Sequence, residues 1–327
     1  MLLVQAGASG TRPRVEPLPT GPACARTFTI GFVADVAGLR SSVDAAGWRG
    51  VGEALHEISC SHADLALPTR PSEYRRLLEA YSRNDLVIAG SFLLTDPVVD
   101  VAGANPAPHF LLVDPIVVPP DRPNLMVLSF REDQAAFLAG TLAGMVTKTA
   151  VVGGVYGPGS AADRANRAGF EHGAQYVRPG IRVLGAYQPA GGTPYQDPVW
   201  GAARARAFSN QQADVVFGAG GTTGQGALRG AAEAGRLCIG AEIEAPNVPT
   251  ATSCLLGATV KRVDAAIKGA VLDAAAGTWP GAVRTLGVAQ AAVGLRLLAH
   301  PRLTPEIRRR LDVIAGLLAA GSLSTGL

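Results

Sequence analysis

The chain has 327 residues, of which 48% are hydrophobic and 17% are charged, and its formal net charge at pH 7 is +3. No stretch approaches the roughly 18 uninterrupted apolar residues of a membrane-spanning helix. The small net charge, without a basic cluster interleaved with aromatic residues, argues against a nucleic-acid-binding protein. A chain of this length and composition is expected to form two globular domains of ordinary size.

Residues 1–26 are predicted to be a disordered leader because they contain four prolines and show little hydrophobic periodicity. The opening "MLLVQAG" is short and lacks the basic residues of a secretory signal. "GPAC", which ends at Cys24, has the small residue and the cysteine of a bacterial lipoprotein cleavage site, but Gly21 stands where leucine is expected. The leader alone therefore does not establish export.

From Thr27 onward, apolar runs typical of strands alternate with segments of helical periodicity. Two of the helices are predicted at Ser42 to Ile58 and at Pro71 to Ser82. Strands that are apolar throughout are buried on both faces, which requires parallel sheets covered by helices. The sequence therefore predicts an α/β protein, with strands in "TFTIGFVAD", "ADLAL", "DLVIAG", "HFLLVD", "LMVLSF", "AVVGGVYG", "IRVLGAY", "DVVFGAG", "RLCIGAE", "TSCLLG" and "RTLGVAQAAVG".

Several predicted strands end in an acid or a small residue: Asp35, Gly90, Asp114 and Glu242. Ligands of open parallel sheets bind outside the carboxyl ends of the strands, so these positions indicate a cleft, while capping of the following helix is the competing role for each acid. Lys261 also follows a strand, in a chain that uses arginine for almost every other cation, which suggests a place suited to a compact ammonium.

The stretch "AGGTTGQGALRGAAEAG", residues 219–235, resembles a phosphate-binding turn. A dinucleotide fingerprint needs glycine at Thr223 and a P-loop needs lysine at Ala227, so neither motif is present. The turn around Gly220 could still bring backbone N–H groups and a helix N-terminus to a polar ligand. The alternative is a turn that uses glycine only for tight packing.

No catalytic constellation emerges, because the histidines are scattered and neither a nucleophile elbow nor a zinc motif occurs. We therefore expect no enzyme activity, no metal and no cofactor. Glu132 and Asp133 are interpreted as acids that complement the dipole of a helix start. Cys238 and Cys254 lie in successive predicted strands, where either a disulfide or two buried thiols would fit.

Five blocks in order, "HFLLVD", "NLMVLSFREDQAAFLAGTLAGMVTKTAVVGGVYG", "AGFEHGAQY", "ADVVFGAGGTTGQGAL" and "VKRVDAAI", resemble the basic membrane protein family. This family comprises substrate-binding lipoproteins of ABC transporters and includes purine-nucleoside receptors. The resemblance covers about residues 28–325 and implies a type I periplasmic binding protein, in which two doubly wound α/β domains, joined by three crossings, close on a ligand. We expect one domain at 27–126 and 253–283, and the other at 127–252 and 284–327.

The resemblance places Asp35, Asp114, Glu242 and Lys261 in the ligand cleft, together with the turn at Gly220 and the strand end at Gly90. Tyr195 falls where the family has a phenylalanine that stacks on the base. Where the family has Ser-Phe-Asn, with a second stacking ring and a base-binding amide, this chain has Ser42, Val43 and Asp44. Trp48 and Phe92 are the candidates for a replacement ring.

The resemblance implies an extracytoplasmic solute-binding protein, either periplasmic or membrane-anchored, with ABC-transporter permease subunits as partners. Its ligand would be a nucleoside, with a purine favoured, and its membrane contact would come only through a lipid anchor. Three alternatives stay open: a receptor of the same fold for another small polar solute, the ligand-sensing domain of a regulator, and an enzyme.

Overall fold

The computed structural model describes residues 26–242, 251 and 253–327. Except for Arg26, the predicted leader lies outside this range. The described strands are β1 (Phe28–Val33), β2 (Ser61–Ala66), β3 (Leu86–Ala89), β4 (His109–Val113), β5 (Leu125–Phe130), β6 (Val151–Tyr156), β7 (Arg182–Tyr187), β8 (Val215–Gly218), β9 (Leu237–Ala241), β10 (Leu255–Lys261), β11 (Val283–Leu286) and β12 (Val293–Leu297).

Helices alternate with these strands, as the hydrophobic periodicity predicts. The described helices are α1 (Ser42–Leu55), α2 (Tyr74–Tyr81), α3 (Thr95–Ala104), α4 (Glu132–Val146), α5 (Ala161–Val177), α6 (Pro198–Asn210), α7 (Gly221–Glu233), α8 (Val263–Ala275) and α9 (Pro305–Ala319). Several begin at a side-chain cap: Ser41 accepts from the Asp44 amide at α1, and Ser160 forms a capping box with Asp163 at α5. Among the helices of the described ranges, none combines the length and hydropathy needed to cross a bilayer.

The strands form two six-stranded sheets, in the orders β11-β5-β4-β3-β1-β2 and β12-β10-β9-β8-β6-β7. All the strand pairs within them are parallel except β10 with β12. Each sheet packs a buried apolar core against helices on both of its faces. The predicted α/β class with two doubly wound sheets is therefore confirmed, and its physical reason is that strands such as β3 are buried along their whole length.

The chain passes between the two sheets three times, and the predicted boundaries of these passages need correction. The first passage follows β5, whereas the predicted boundary at 126 falls inside that strand. The predicted segment 253–283 includes β10, but β10 pairs with β9 and β12 in the second sheet. Apolar content identifies a buried strand without showing which of two sheets it joins.

The predicted strand "RTLGVAQAAVG" is in fact two strands in different sheets. Its first part belongs to β11, which pairs with β5 in the first sheet, and its last part belongs to β12 in the second. A short 3-10 turn at Val288–Gln290 separates them, and Ala291 adopts a left-handed conformation with φ 52°. The third passage therefore lies within what periodicity predicted to be one strand.

Cys238 and Cys254 form a disulfide between β9 and the residue before β10, with a Cα–Cα distance of 5.2 Å. Both side chains are buried. Of the two arrangements that the sequence left open, the structure has the disulfide, and none of the described cysteines is a free thiol.

Helices α4 and α5 are in backbone contact because glycines face each other across their interface. A Cβ atom on Gly173 would lie 2.0 Å from the carbonyl oxygen of Phe137, and one on Gly140 would lie 2.0 Å from that of Phe170. No side chain fits at either position without moving a helix. This contact fixes the position of α4, whose first residue contributes to the cleft described below.

We therefore expect Gly173→Ala to destabilise the fold by about 1–3 kcal/mol, since the added methyl group overpacks a backbone contact. Gly269→Ala is the matched control, because Gly269 lies inside α8 with no atom within 4 Å of its added Cβ. That change should stabilise by roughly 0.5–1 kcal/mol through helix propensity. Urea unfolding followed by circular dichroism measures both, and equal effects of the two substitutions would contradict the close contact.

Candidate functional site

A cavity of about 650 Å³ lies where the carboxyl ends of the two sheets face each other. The first domain contributes residues of α1 and of the segments that follow β3 and β4. The second contributes the starts of α4, α5 and α7 and the ends of β9 and β10. Its wall includes Val43, Phe92, Asp114, Ile116, Val118, Phe130, Glu132, Asp163, Tyr195, Gly220, Glu242 and Lys261.

A second cavity of about 840 Å³ adjoins the first and shares Val43, Glu242 and Lys261 with it. Helix α1 and the strands β10 and β12 form most of its wall. Although this cavity is larger, the first is the better candidate site because strand ends from both domains converge on it.

The centre of the site is Lys261, whose ammonium group is held by three carboxylates. Its Nζ lies 2.7 Å from Asp114 Oδ2, 2.7 Å from Glu132 Oε1 and 3.3 Å from Glu242 Oε1. The Lys261 side chain is only 7% exposed. Burial lowers the pKa of Lys261, but the three carboxylates outweigh burial and hold its pKa well above the usual value.

These four charges come from both domains. Asp114 directly follows β4 of the first sheet, whereas Glu242 follows β9 and Lys261 ends β10 of the second. Asp114 and Glu242 both adopt left-handed backbone conformations, with φ 56° and 54°. The Lys261–Asp114 hydrogen bond therefore connects the two domains directly across the cleft.

Glu132 belongs to the cluster around Lys261 and lines the cavity, although the sequence indicates only an acid at a helix start. It does begin α4, but its side chain is buried and faces Lys261. Its Oε1 is close to the ammonium without accepting a well-aligned hydrogen bond from the described residues. Burial raises the pKa of Glu132, and neighbouring Asp114 and Glu242 raise it further, while Lys261 opposes them. Glu132 comes two residues after the end of β5. An acid just after the carboxyl end of a strand is the sequence signal that could have identified it.

Tyr195 lines the second domain's side of the cavity, as the resemblance implies. Its hydroxyl donates to Asp163 Oδ2 at 3.3 Å, and its backbone N–H donates to Gln188 Oε1 at 2.9 Å. Its ring packs against Gly157, where a Cβ atom would lie 2.3 Å from the ring. The ring is thus held in place by contacts on several sides.

The glycine-rich turn needs glycine for packing, one of the two roles that the sequence left open, and it also lines the cavity. Gly220 has φ 90°, precedes α7 and lines the cavity. A Cβ atom there would lie 2.3 Å from the Gly157 backbone nitrogen, so the turn also needs glycine for packing. A ligand in the cavity would face the N-terminus of α7.

Three expected cleft residues, Asp35, Asp44 and Gly90, are not on the cavity wall. Asp44 is fully buried, and its Oδ2 accepts from the Asp35 backbone N–H at 3.2 Å. Gly90 leaves the space for this side chain, since a Cβ atom there would lie 2.2 Å from Asp44 Oδ1. Burial, followed by the charge of Asp35, raises the pKa of Asp44 to about 7.

Of the two candidate replacement rings, the structure brings only Phe92 to the cavity. Trp48 instead packs against Phe32 in the core of the first domain, with ring centroids 5.9 Å apart. Val43 lines the cavity as expected for its place at the start of α1. Within the described part of the chain, histidine, cysteine and carboxylate side chains do not gather into a group suited to a metal ion.

Replacing Lys261 with methionine should destabilise the protein by about 3–5 kcal/mol at pH 8, because three carboxylates would lose their shared counter-charge. At pH 5 the loss should be smaller, since Glu132, whose pKa is raised by burial, can then bind a proton in the folded state. Lys268→Met is the control, because this lysine forms a partly exposed ion pair with a single carboxylate, Glu57; we expect a loss of less than about 1 kcal/mol. Urea denaturation at both pH values measures the free energy of unfolding. Equal losses of this free energy in the two variants would contradict the charged cluster.

Asp44→Asn should stabilise the fold at pH 8 and have little effect near pH 4. The folded-state pKa of Asp44 is raised from 3.8 to about 7, so ionisation of Asp44 reduces stability as pH rises through this window. The gain has an upper limit of about 4 kcal/mol. Asp64→Asn is the control, because Asp64 is exposed. This substitution should change the free energy of unfolding by less than about 0.5 kcal/mol. Destabilisation by Asp44→Asn at pH 8 would contradict the unfavourable buried charge.

Comparison with known proteins identifies the family. A family model described as "ABC transporter substrate-binding protein PnrA-like" matches residues 56–309. A CD4+ T-cell-stimulating antigen of Listeria monocytogenes is 27% identical over 83% of this chain and 80% of its own. Basic membrane protein D of Borreliella burgdorferi is 29% identical over 55% of this chain and 52% of its own. An uncharacterised lipoprotein of Pyrococcus horikoshii is 28% identical over 82% of this chain and 69% of its own.

Solved structures share the fold at low sequence identity. A solute-binding protein of an ABC transporter system from Aeropyrum pernix superposes with a TM-score of 0.74 at 20% identity, covering 91% of this chain and 92% of the other. A transcriptional activator of the comK gene from Bacillus halodurans gives 0.75 at 16% identity, covering 90% and 98%. The two doubly wound domains are thus those of a type I periplasmic binding protein, and the chain belongs to the family of PnrA-like ABC transporter substrate-binding proteins.

Proposed function

We propose that this protein is the extracytoplasmic receptor of an ABC importer and that it binds a nucleoside, with a purine favoured, by closing its two domains on the cleft. The observation that carries the proposal is the buried Lys261 among three carboxylates supplied by both domains. Such a cluster can recognise a hydroxyl-rich ligand with groups from both domains.

The charges of the cavity favour a neutral ligand. Carboxylates accept hydrogen bonds from vicinal hydroxyls and from ring or amino N–H groups, and a lysine donates to a ribose oxygen. In the proposed arrangement Glu242 and Lys261 contact the ribose, and Asp114 contacts the base edge. The acids Asp114, Glu132, Glu242 and Asp163 outnumber the cations Arg40 and Lys261 on the cavity wall, so we expect nucleotides to bind more weakly than nucleosides.

The rings of the cavity suit a flat base. Tyr195 lies on the second domain's side and Phe92 on the first domain's side. Offset stacking of a base on each ring adds about 0.5–1.5 kcal/mol beyond the apolar area that it buries. The cavity volume of about 650 Å³ is within the range of about 300–1,000 Å³ typical of small-molecule sites.

The family assignment supports the proposed partners and location. Substrate-binding proteins of ABC transporters deliver their ligand to permease subunits, and the named relatives include a lipoprotein and a basic membrane protein. We therefore propose an extracytoplasmic protein, attached to the membrane through a lipid anchor or free in the periplasm, that has no catalytic activity.

A second candidate is the ligand-sensing domain of a regulator. The TM-score of 0.75 with a transcriptional activator favours it, because a protein named for gene regulation shares this fold. Cell fractionation separates the two candidates: an importer receptor is found with the membrane or periplasm, and a regulator domain is found in the cytoplasm.

A thermal-shift and calorimetric panel of nucleosides, free bases, sugars and nucleotides tests the ligand. We expect stabilisation by adenosine, guanosine or inosine, and at least tenfold weaker binding after Glu242→Gln, because a charged hydrogen-bond acceptor contributes about 1.5–3 kcal/mol. Glu233→Gln is the control, since Glu233 forms exposed ion pairs on α7 away from the cavity wall. A response only to sugars or to phosphorylated compounds would overturn the nucleoside assignment.

A further inference from the structure

An aliphatic segment on the rim of the cleft has no role in the proposed contacts with ribose or base. Residues 116–118 directly follow Asp114 and Pro115 after β4. Ile116, Val117 and Val118 are 49%, 72% and 47% exposed, which is unusual for three consecutive aliphatic residues. Their exposure calls for a partner that covers them.

The three side chains differ in where they face. Ile116 and Val118 line the 650 Å³ cavity, whereas Val117 between them does not. The alternation places two aliphatic groups inside the cleft and one outside. Pro115, Pro119 and Pro120 flank the segment, and proline restricts the backbone, so the wall is held in shape before any ligand arrives.

The same side of the cavity is apolar in its neighbouring residues. Val43 and Phe92, also from the first domain, line it with Ile116 and Val118. Most of the charged groups on the wall surround Lys261, while Arg40 lies on the first domain's side and Asp163 lies beside Tyr195. The cavity is thus divided into a charged centre and an apolar wall, and Asp114 stands at the boundary between them.

We propose that the apolar wall formed by Val43, Phe92, Ile116 and Val118 receives an apolar substituent on the base of the nucleoside. This inference rests on the proposed function, since it takes the base edge to lie at Asp114. A purine whose exocyclic nitrogen carries an alkyl or benzyl group keeps one N–H for the Asp114 carboxylate and extends its apolar group toward Ile116 and Val118. The ligand class is therefore an N6-substituted adenosine.

The test compares N6-benzyladenosine with adenosine by isothermal titration calorimetry. We expect the benzyl compound to bind at least tenfold more tightly to the unaltered protein, because it buries additional apolar surface. In the Ile116→Ser/Val118→Ser double variant this preference should fall below about threefold. Val117→Ser is the matched control and should keep the full preference, since it removes the most exposed of the three side chains without changing the cavity wall.

Several results would overturn the inference. Adenosine binding at least as tightly as N6-benzyladenosine would do so, as would a preference that survives in the double variant. An equal loss of affinity for both compounds in the double variant would show that the second domain covers the wall on closure. Tighter binding of 5′-methylthioadenosine than of adenosine, without tighter binding of N6-benzyladenosine, would indicate that the apolar wall receives a substituent of the ribose.

The failure of the proposed function has a separate signature. If no nucleoside binds the unaltered protein while its thermal unfolding is cooperative, the nucleoside assignment itself is wrong. If adenosine binds and only the preference for the substituted base is missing, the assignment stands and the inference about the apolar wall fails.

Discussion

One buried ammonium group holds together charges that would otherwise repel each other. Asp114, Glu132 and Glu242 converge on Lys261, and without it three carboxylates would share a partly buried space. The cluster keeps a net negative charge even with Lys261 protonated. The remaining acceptor capacity of these oxygens is what a ligand rich in hydroxyl and N–H groups can use.

The packing of the second domain keeps this cluster in position. Glu132 begins α4, and the glycines of α4 and α5 allow these helices to touch along their backbones. Glu242 and Lys261 end neighbouring parallel strands, which the Cys238–Cys254 disulfide links near their other ends. Only Asp114 comes from the first domain, so three of the four charges are positioned by one rigid unit.

The sequence predicted the fold well because its signals are local. Apolar strands such as β3 are buried on both faces and need no knowledge of distant partners to be identified. The sheet that β10 joins depends on pairing with β9 and β12, which composition does not reveal. Lys261 was found because lysine is rare in this chain and because the residue follows a strand.

The differences between the expected and the observed positions of the acids have a common physical cause. Asp44 and Glu132 both stand at helix starts, where a carboxylate can cap the helix, face a ligand or be buried behind another residue. The direction of a side chain decides among these roles, and residue type and spacing do not encode it. Asp44 turns toward Asp35 and Gly90, whereas Glu132 turns toward Lys261.

The passages of the chain between the sheets lie directly beside the charged cluster. Lys261 is the last residue of β10 before the second passage, and Glu132 comes just after the first. Any rotation of one domain about these passages displaces atoms in proportion to their distance from the axis. The groups around Lys261 would then move less than atoms that lie farther from these passages. A ligand held by the groups around Lys261 would therefore contact both domains close to the segments that join them.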